Sequence, residues 1–442
     1  MKKILLFGAG KSATVLIDYL LKNAEAEKWF VRIADADLQL AQSKVGNSSF
    51  AKAISFDINN DNERSIAIQG ADIVISLLPP TLHFLVAKDC LNYSKNLLTA
   101  SYVGDNIQEL KDDIERKGLL FLCEMGLDPG IDHMSAMRIV DDIHSKGGSV
   151  VSFKSHCGGL VAPESDDNPW HYKISWNPRN IVLAGKAGAM FKDQDKKITV
   201  AYDKIFERCP DIHVNDLPVL AYYPNRDSLS YSSLYGLEKT STFIRTTLRY
   251  ASFCRGWDVI VHLGLTDTED DITKYQTISE WFHDKLRGIE LRKMEWLEYL
   301  QLYTDEKYHT DITEQADYLG LFEIIPVPFH AKCSADILQS LLEAKLVLKP
   351  DDKDMIVMLH EIEFTKEEKK YKISSSLVVK GENSLRTAMA KTVGLPLGIA
   401  AKLILKEKIK LRGLHIPVLR EIYEPVLEEL ELLNIRFEES IG

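Results

Sequence analysis

The chain predicts an α/β protein with an N-terminal doubly wound parallel sheet, a mixed α/β second domain and a helical insertion. Three observations carry this. Short apolar runs alternate with amphipathic stretches through residues 1–125, the first run ends in a glycine-rich turn, and after Ser149 the apolar runs lengthen. Strand–helix alternation at that spacing builds a parallel sheet covered on both faces.

In order, strands are expected at Ile4–Phe7, Val31–Ala34, Ala53–Phe56, Ile73–Leu77, Asn96–Ala100 and Leu119–Cys123, with helices at Ala13–Leu21, Leu38–Lys44, Ser65–Gln69 and Leu82–Leu91. Val150–Ser155, Asp258–Leu263 and Asp354–Phe364 read as longer strands. Between Thr266 and Leu348 the pattern is helical, as in Ile278–Leu286 and Lys293–Leu302. Asn383–Leu405 has helical periodicity with a break expected at Gly394-Leu395-Pro396. Its apolar later half suggests docking onto a core. The expected division is a dinucleotide domain over 1–125 joined by 383–442, a substrate domain over 126–265 and 347–382, and a helical insertion over 266–346.

At 442 residues the chain exceeds one ordinary core. A hydrophobic share of 45% and a charged share of 27% are ordinary for a globular enzyme. A net charge of −11 argues against nucleic acid as a partner. Cys90, Cys123, Cys157, Cys209, Cys254 and Cys333 are scattered with no C-x-x-C pair, so reduced thiols are expected and no metal site. The apolar run after Lys3 stops at Gly8, too short for export or a membrane span. A cytoplasmic location follows, and a homodimer stays open.

Gly8-Ala9-Gly10-Lys11-Ser12-Ala13 follows a strand and opens a helix, giving G-x-G-x-x-A. Gly8 suits the tight turn, Gly10 lets a pyrophosphate approach the backbone, and Ala13 keeps the helix close to the sheet; this is a Rossmann-type fingerprint. Asp35, at the end of the second strand, would accept hydrogen bonds from ribose hydroxyls and repel a 2′-phosphate, so NAD is expected over NADP. Asp37 adds charge or caps the next helix. Asp57, Ser76 and Leu77 lie at strand ends along which a dinucleotide would run.

Two further runs carry chemistry. Glu124–His133 reads E-M-G-L-D-P-G-I-D-H, and Cys157–Trp176 packs two glycines, two prolines, carboxylates, a thiol, a His, a Lys and two Trp into a stretch without helical or strand period. Asp132 reads as a cap for the helix starting near His133, whereas Asp128 is the candidate for function. Ser101 and Tyr102 follow the fifth strand on the same rim.

These runs resemble the saccharopine reductase family, the glutamate-forming saccharopine dehydrogenases. The resemblance rests on L-D-P-G-I-D-H (Leu127–His133), C-G-G-L-x-A-P-E (Cys157–Glu164), D-N-P-x-x-Y-K-x-S-W (Asp167–Trp176), Y-P-N-R-D-S (Tyr223–Ser228) and T-L-R-Y (Thr247–Tyr250), in that order. It continues around Ala388–Gly394. It implies that Ser101, Tyr102, Asp128, Arg226, Thr247, Leu248 and Arg249 hold saccharopine, with Tyr102, Asp128 and Cys157 near the reacting carbon. NADP-dependent fungal members carry an Arg-containing turn where this chain has Asp35-Ala36-Asp37.

The implied reaction interconverts saccharopine with glutamate and 2-aminoadipate semialdehyde by hydride transfer to NAD or NADP. Planar forks at Arg226 and Arg249 suit a substrate with three carboxylates, and Asp128, Cys157 and Tyr102 are the groups available to exchange protons. The alternatives are a reductive-amination enzyme like carboxynorspermidine dehydrogenase, whose cationic substrates the two arginines disfavour, and a nucleotide-binding scaffold without catalysis.

Overall fold

The computed structural model describes residues 1–288 and 295–442. These form two compact units. The first comprises Met1–Val150, Thr365–Lys369 and Val379–Glu438, and the second Val151–Phe364, Lys370–Val378 and Glu439–Gly442.

In the first unit, β1 (Lys2–Phe7), β2 (Trp29–Ala34), β3 (Ala51–Ile54), β4 (Ile73–Ser76), β5 (Asn96–Thr99) and β6 (Leu120–Leu122) join a seventh strand, Gly413–His415. The spatial order is Gly413–His415, β6, β5, β4, β1, β2, β3, with every pair parallel. The order reverses between β1 and β4, which opens a crevice at their C-terminal ends. Ile4–Phe7 and all of β4 are buried without alternation, as strands covered on both faces require.

Helix Thr14–Ala24, which leaves the glycine turn, packs against helix Ala388–Leu405 of the same unit. The latter runs unbroken through Pro396, contrary to the expected interruption. Its length and hydropathy would suit a membrane span, but 78% of it is buried in the structure. Burial on nearly all sides holds the helix together across the proline.

The second unit carries a mixed sheet in the order Asp211–Ile212, Leu220–Pro224, Thr242–Tyr250, Ser149–Val161, Asp354–Lys366, Lys369–Lys380, Glu438–Ile441. Val150–Ser155 and Asp354–Phe364 are strands as expected, but Asp258–Leu263 falls at the end of helix Ala251–His262. Its β-branched run masked the helical spacing of Phe253, Trp257, Ile260 and Val261, all buried in one cluster. Helices Ile278–Gly288, Trp296–Tyr303, His309–Leu319 and Ser334–Lys345 complete that cluster. Lys293, the first residue of one expected helix, lies outside the described residues.

The aromatic run expected to carry chemistry is largely a plug in this core. Trp170 and Tyr172 are fully buried, and Trp170 Nε1 donates to the Gln315 carbonyl at 2.9 Å. Lys173 is buried between Asp352 (2.6 Å) and Asp167 (2.8 Å), so its charge is matched inside the protein. Trp170→Ala should therefore lower the unfolding free energy of this unit by about 3–5 kcal/mol, the range for a large aromatic cavity. Urea titration followed by tryptophan fluorescence checks this.

Candidate active site

The glycine turn has the backbone geometry expected of it at Gly8. Gly8 has φ +98°, and a Cβ there would lie 2.8 Å from the Leu77 carbonyl oxygen, so only glycine fits beside β4. At Gly10, by contrast, a Cβ would meet nothing within 4 Å, leaving open space over the backbone. The turn Lys11–Ala13 that follows has no side-chain cap, and Thr14–Ala24 continues from it. Backbone N–H groups at such a start favour an anion. Asp35 Oδ2 accepts the Ala9 N–H at 2.7 Å and its Oδ1 accepts the Asp37 N–H at 2.9 Å. Asp37 is the N-cap of helix Leu38–Val45, accepting from Gln39 and Leu40. Asp57 Oδ1 closes a local turn onto the Asn59 N–H.

A second feature of the same unit joins the ends of β5 and β6. Tyr102 Oη donates to Asp128 Oδ1 at 3.1 Å. The backbone around Tyr102 is held on both sides by Glu124: its N–H donates to the Ser101 carbonyl at 3.1 Å, and its Oε1 accepts the Val103 N–H at 3.1 Å. Glu124 Oε2 meets His133 Nε2 at 2.8 Å, and both residues are buried. Within the run Glu124–His133, Asp128 alone is not fully buried. The peptide Asp128–Pro129 is cis. Helix Ile131–Ser145 has Gly130 as its N-cap, not Asp132. Asp132 sits in the first turn and accepts the Gly130 N–H at 2.6 Å, because the helix starts two residues earlier than the capping pattern suggested.

The second unit assembles Cys157, Thr247, Leu248 and Arg249. Cys157–Val161 continue the strand Ser149–Val161 although their sequence shows no strand period, and Cys157 lies in register with Thr247 on the parallel neighbour. Gly158 explains the missing period: a Cβ there would fall 2.4 Å from the Leu248 carbonyl oxygen, so close strand approach demands glycine. The Leu248 side chain is buried in an apolar cluster, leaving its main chain as the group on offer. Its carbonyl accepts from Arg249 Nη1 at 2.7 Å.

Arg249 is 4% exposed, stacks over Tyr172 (5.4 Å) and Phe253 (5.6 Å), and leaves its buried Nε without a partner. Among the described residues no carboxylate pairs with it. A guanidinium does not shed its proton, so this is a buried cation lacking a protein counter-ion. Arg226, by contrast, is exposed at φ +50° on the short strand Arg226–Asp227, which pairs with Ala189–Met190.

Glu124 and His133 escaped notice because they stand at the two ends of a run read for its turn residues. Their spacing offered a weak signal, since a carboxylate and a His nine residues apart meet only across the turn. His83 escaped too, as a lone His at a helix start.

Two family models match. Residues 4–122 match the saccharopine dehydrogenase NADP binding domain, and residues 126–434 the saccharopine dehydrogenase C-terminal domain. The chain is 32% identical to the saccharopine dehydrogenase [NADP(+), L-glutamate-forming] of Saccharomyces cerevisiae, covering 97% of each. It is 33% identical to an alpha-aminoadipic semialdehyde synthase of Arabidopsis thaliana, covering 99% of this chain but 44% of the plant protein. The chain thus spans less than half of that relative and nearly all of the yeast one. The structure of the apo yeast saccharopine dehydrogenase (L-Glu forming) superposes with a TM-score of 0.89 at 31% identity, over 100% of both chains. The chain belongs to the saccharopine dehydrogenase family.

The expected preference for NAD is overturned: the matching nucleotide domain is an NADP binding domain, and the fungal relatives carry NADP(+) in their names. The carboxylates behind that expectation are engaged with the protein backbone, Asp35 with the glycine turn and Asp37 as a helix cap.

Gly8→Ala forces a side chain into the Leu77 carbonyl and a left-handed backbone that alanine disfavours. NADPH affinity should fall tenfold or more, equivalent to about 1.4 kcal/mol, in a fluorescence titration.

Proposed function

We propose that this member of the saccharopine dehydrogenase family is an oxidoreductase that interconverts saccharopine with L-glutamate and 2-aminoadipate 6-semialdehyde, using NADP(H). The observation that carries the substrate reading is Arg249, a buried guanidinium with no carboxylate partner among the described residues, on the strand that also bears Thr247 and Leu248. An anionic amino-acid substrate supplies the missing counter-ion. Arg226 takes a second carboxylate from its exposed position. Ser101 and Thr247 contribute hydroxyls, and Leu248 a main-chain contact.

Gly8, Gly10, Lys11, Ser12 and Ala13 would hold the pyrophosphate of the nicotinamide carrier, with Asp35, Asp57, Ser76 and Leu77 along its length. When bound, the carrier supplies or takes the hydride. In the cleaving direction the carbon beside the secondary amine loses hydride and becomes an imine. Water adds, the C–N bond breaks, and one proton is released. Asp128, oriented by the Tyr102 hydroxyl, is the group that exchanges protons with the amine and the adding water. Cys157, buried in register with Thr247 on the sheet of the second unit, is a small polar wall in this reading, and its thiol is not the proton carrier.

The purified chain with saccharopine and NADP+ should accumulate reduced nicotinamide, and absence of turnover with either nicotinamide cofactor would sink this reading. Asp128→Asn should lower kcat by roughly 10²–10⁴-fold and remove a limb of the pH profile, whereas Cys157→Ser should keep both limbs. Arg249→Lys keeps the charge but loses the planar fork, so the KM for saccharopine should rise about tenfold while that for NADP+ holds. Equal losses for both ligands would mark Arg249 as structural.

A further inference from the structure

One imidazole of the first unit stands between two residues assigned above to different ligands. His83 opens the helix His83–Asn92 and is 3% exposed. Its Nδ1 lies 2.8 Å from Ser76 Oγ, and its Nε2 lies 2.8 Å from Ser101 Oγ. Ser76 ends β4 and is fully buried; Ser101 follows the neighbouring strand β5. The Ser101 backbone is already fixed, its N–H on Thr99 Oγ1 at 3.0 Å and its carbonyl on the Glu124 N–H at 3.1 Å. The hydroxyl is therefore its remaining freedom, and His83 is what constrains it.

Burial pushes the His83 imidazole down to about 4, so the ring is neutral under ordinary conditions. A neutral imidazole has one N–H and one lone pair. One serine must donate to it and the other must accept from it, so the three groups form a directed chain. Reversing Ser76 reverses Ser101.

We infer that His83 is a positioning residue for the reaction, setting the orientation of the Ser101 hydroxyl toward the substrate through the chain Ser76–His83–Ser101. This rests on the reading of Ser101 as a saccharopine-binding residue. His83 touches neither hydride nor reacting carbon in this role.

A double-mutant cycle tests it. His83→Asn places its amide near the Nδ1 position, keeping Ser76 and losing Ser101; His83→Gln reaches the Nε2 position and keeps Ser101. His83→Asn and Ser101→Ala should each raise the KM for saccharopine about tenfold, as for one lost hydrogen bond, with the KM for NADP+ within about twofold. The double variant should be no worse than either single one, and His83→Gln should recover most of the loss. A roughly hundredfold, additive effect in the double variant overturns the inference, as does a change confined to NADP+. If His83→Asn does not fold, His83→Leu takes its place in the cycle: a rise in saccharopine KM of about tenfold that Ser101→Ala does not add to supports the inference, and an unchanged KM or an additive double variant overturns it. Absence of saccharopine turnover in the unmodified enzyme defeats the functional reading itself, whereas turnover with additive variants defeats only the role of His83.

Discussion

A buried carboxylate cannot be left without partners, and the way Glu124 meets that demand organises the first unit's candidate site. One oxygen accepts the Val103 N–H and the other meets His133, while the Glu124 N–H donates to Ser101. Two chain segments leaving β5 and β6 are thereby locked with Tyr102 held between them. Tyr102 in turn reaches Asp128, the one member of its run open to solvent. The Tyr102–Asp128 hydrogen bond is thus a consequence of buried polar satisfaction one layer beneath it.

The second unit solves a different problem. It keeps a guanidinium inside an aromatic core with its buried Nε unbonded. Arg249 lies against Tyr172 and Phe253, whose faces stabilise a cation without neutralising it. Tyr172 is itself fixed by the plug in which Trp170 and Lys173 are buried and bonded. The chemistry-rich look of that loop therefore reflects packing and ion pairing that support Arg249.

Cofactor choice shows where residue-by-residue reasoning can mislead. A carboxylate at the end of the second strand has a standard meaning when its oxygens face a ribose. Here Asp35 joins the glycine turn to the second βα corner through two backbone N–H groups. The same residue type in the same place serves the protein's own loop, and the matching family domain is an NADP binding domain.

The parallel sheet, the glycine turn and the order of the five motifs could be read from the chain alone, because strand–helix alternation and turn chemistry are local properties. So could Asp128 and Arg249 as candidates, through the motifs that contain them, and Ser101 and Tyr102 through their place after the fifth strand. The helix over Asp258–Leu263, the strand through Cys157–Val161 and the unbroken helix at Pro396 could not, since each depends on what packs against it: an aromatic cluster, the Leu248 backbone and the helix Thr14–Ala24. Glu124, His133 and His83 belong to the same class. Their roles arise from hydrogen bonds across 7 to 23 residues of chain, and only the folded backbone brings those partners within 3.1 Å. Sequence determined which groups were present and which local shapes they favoured; burial, which forces every polar atom to find a partner, decided what they do.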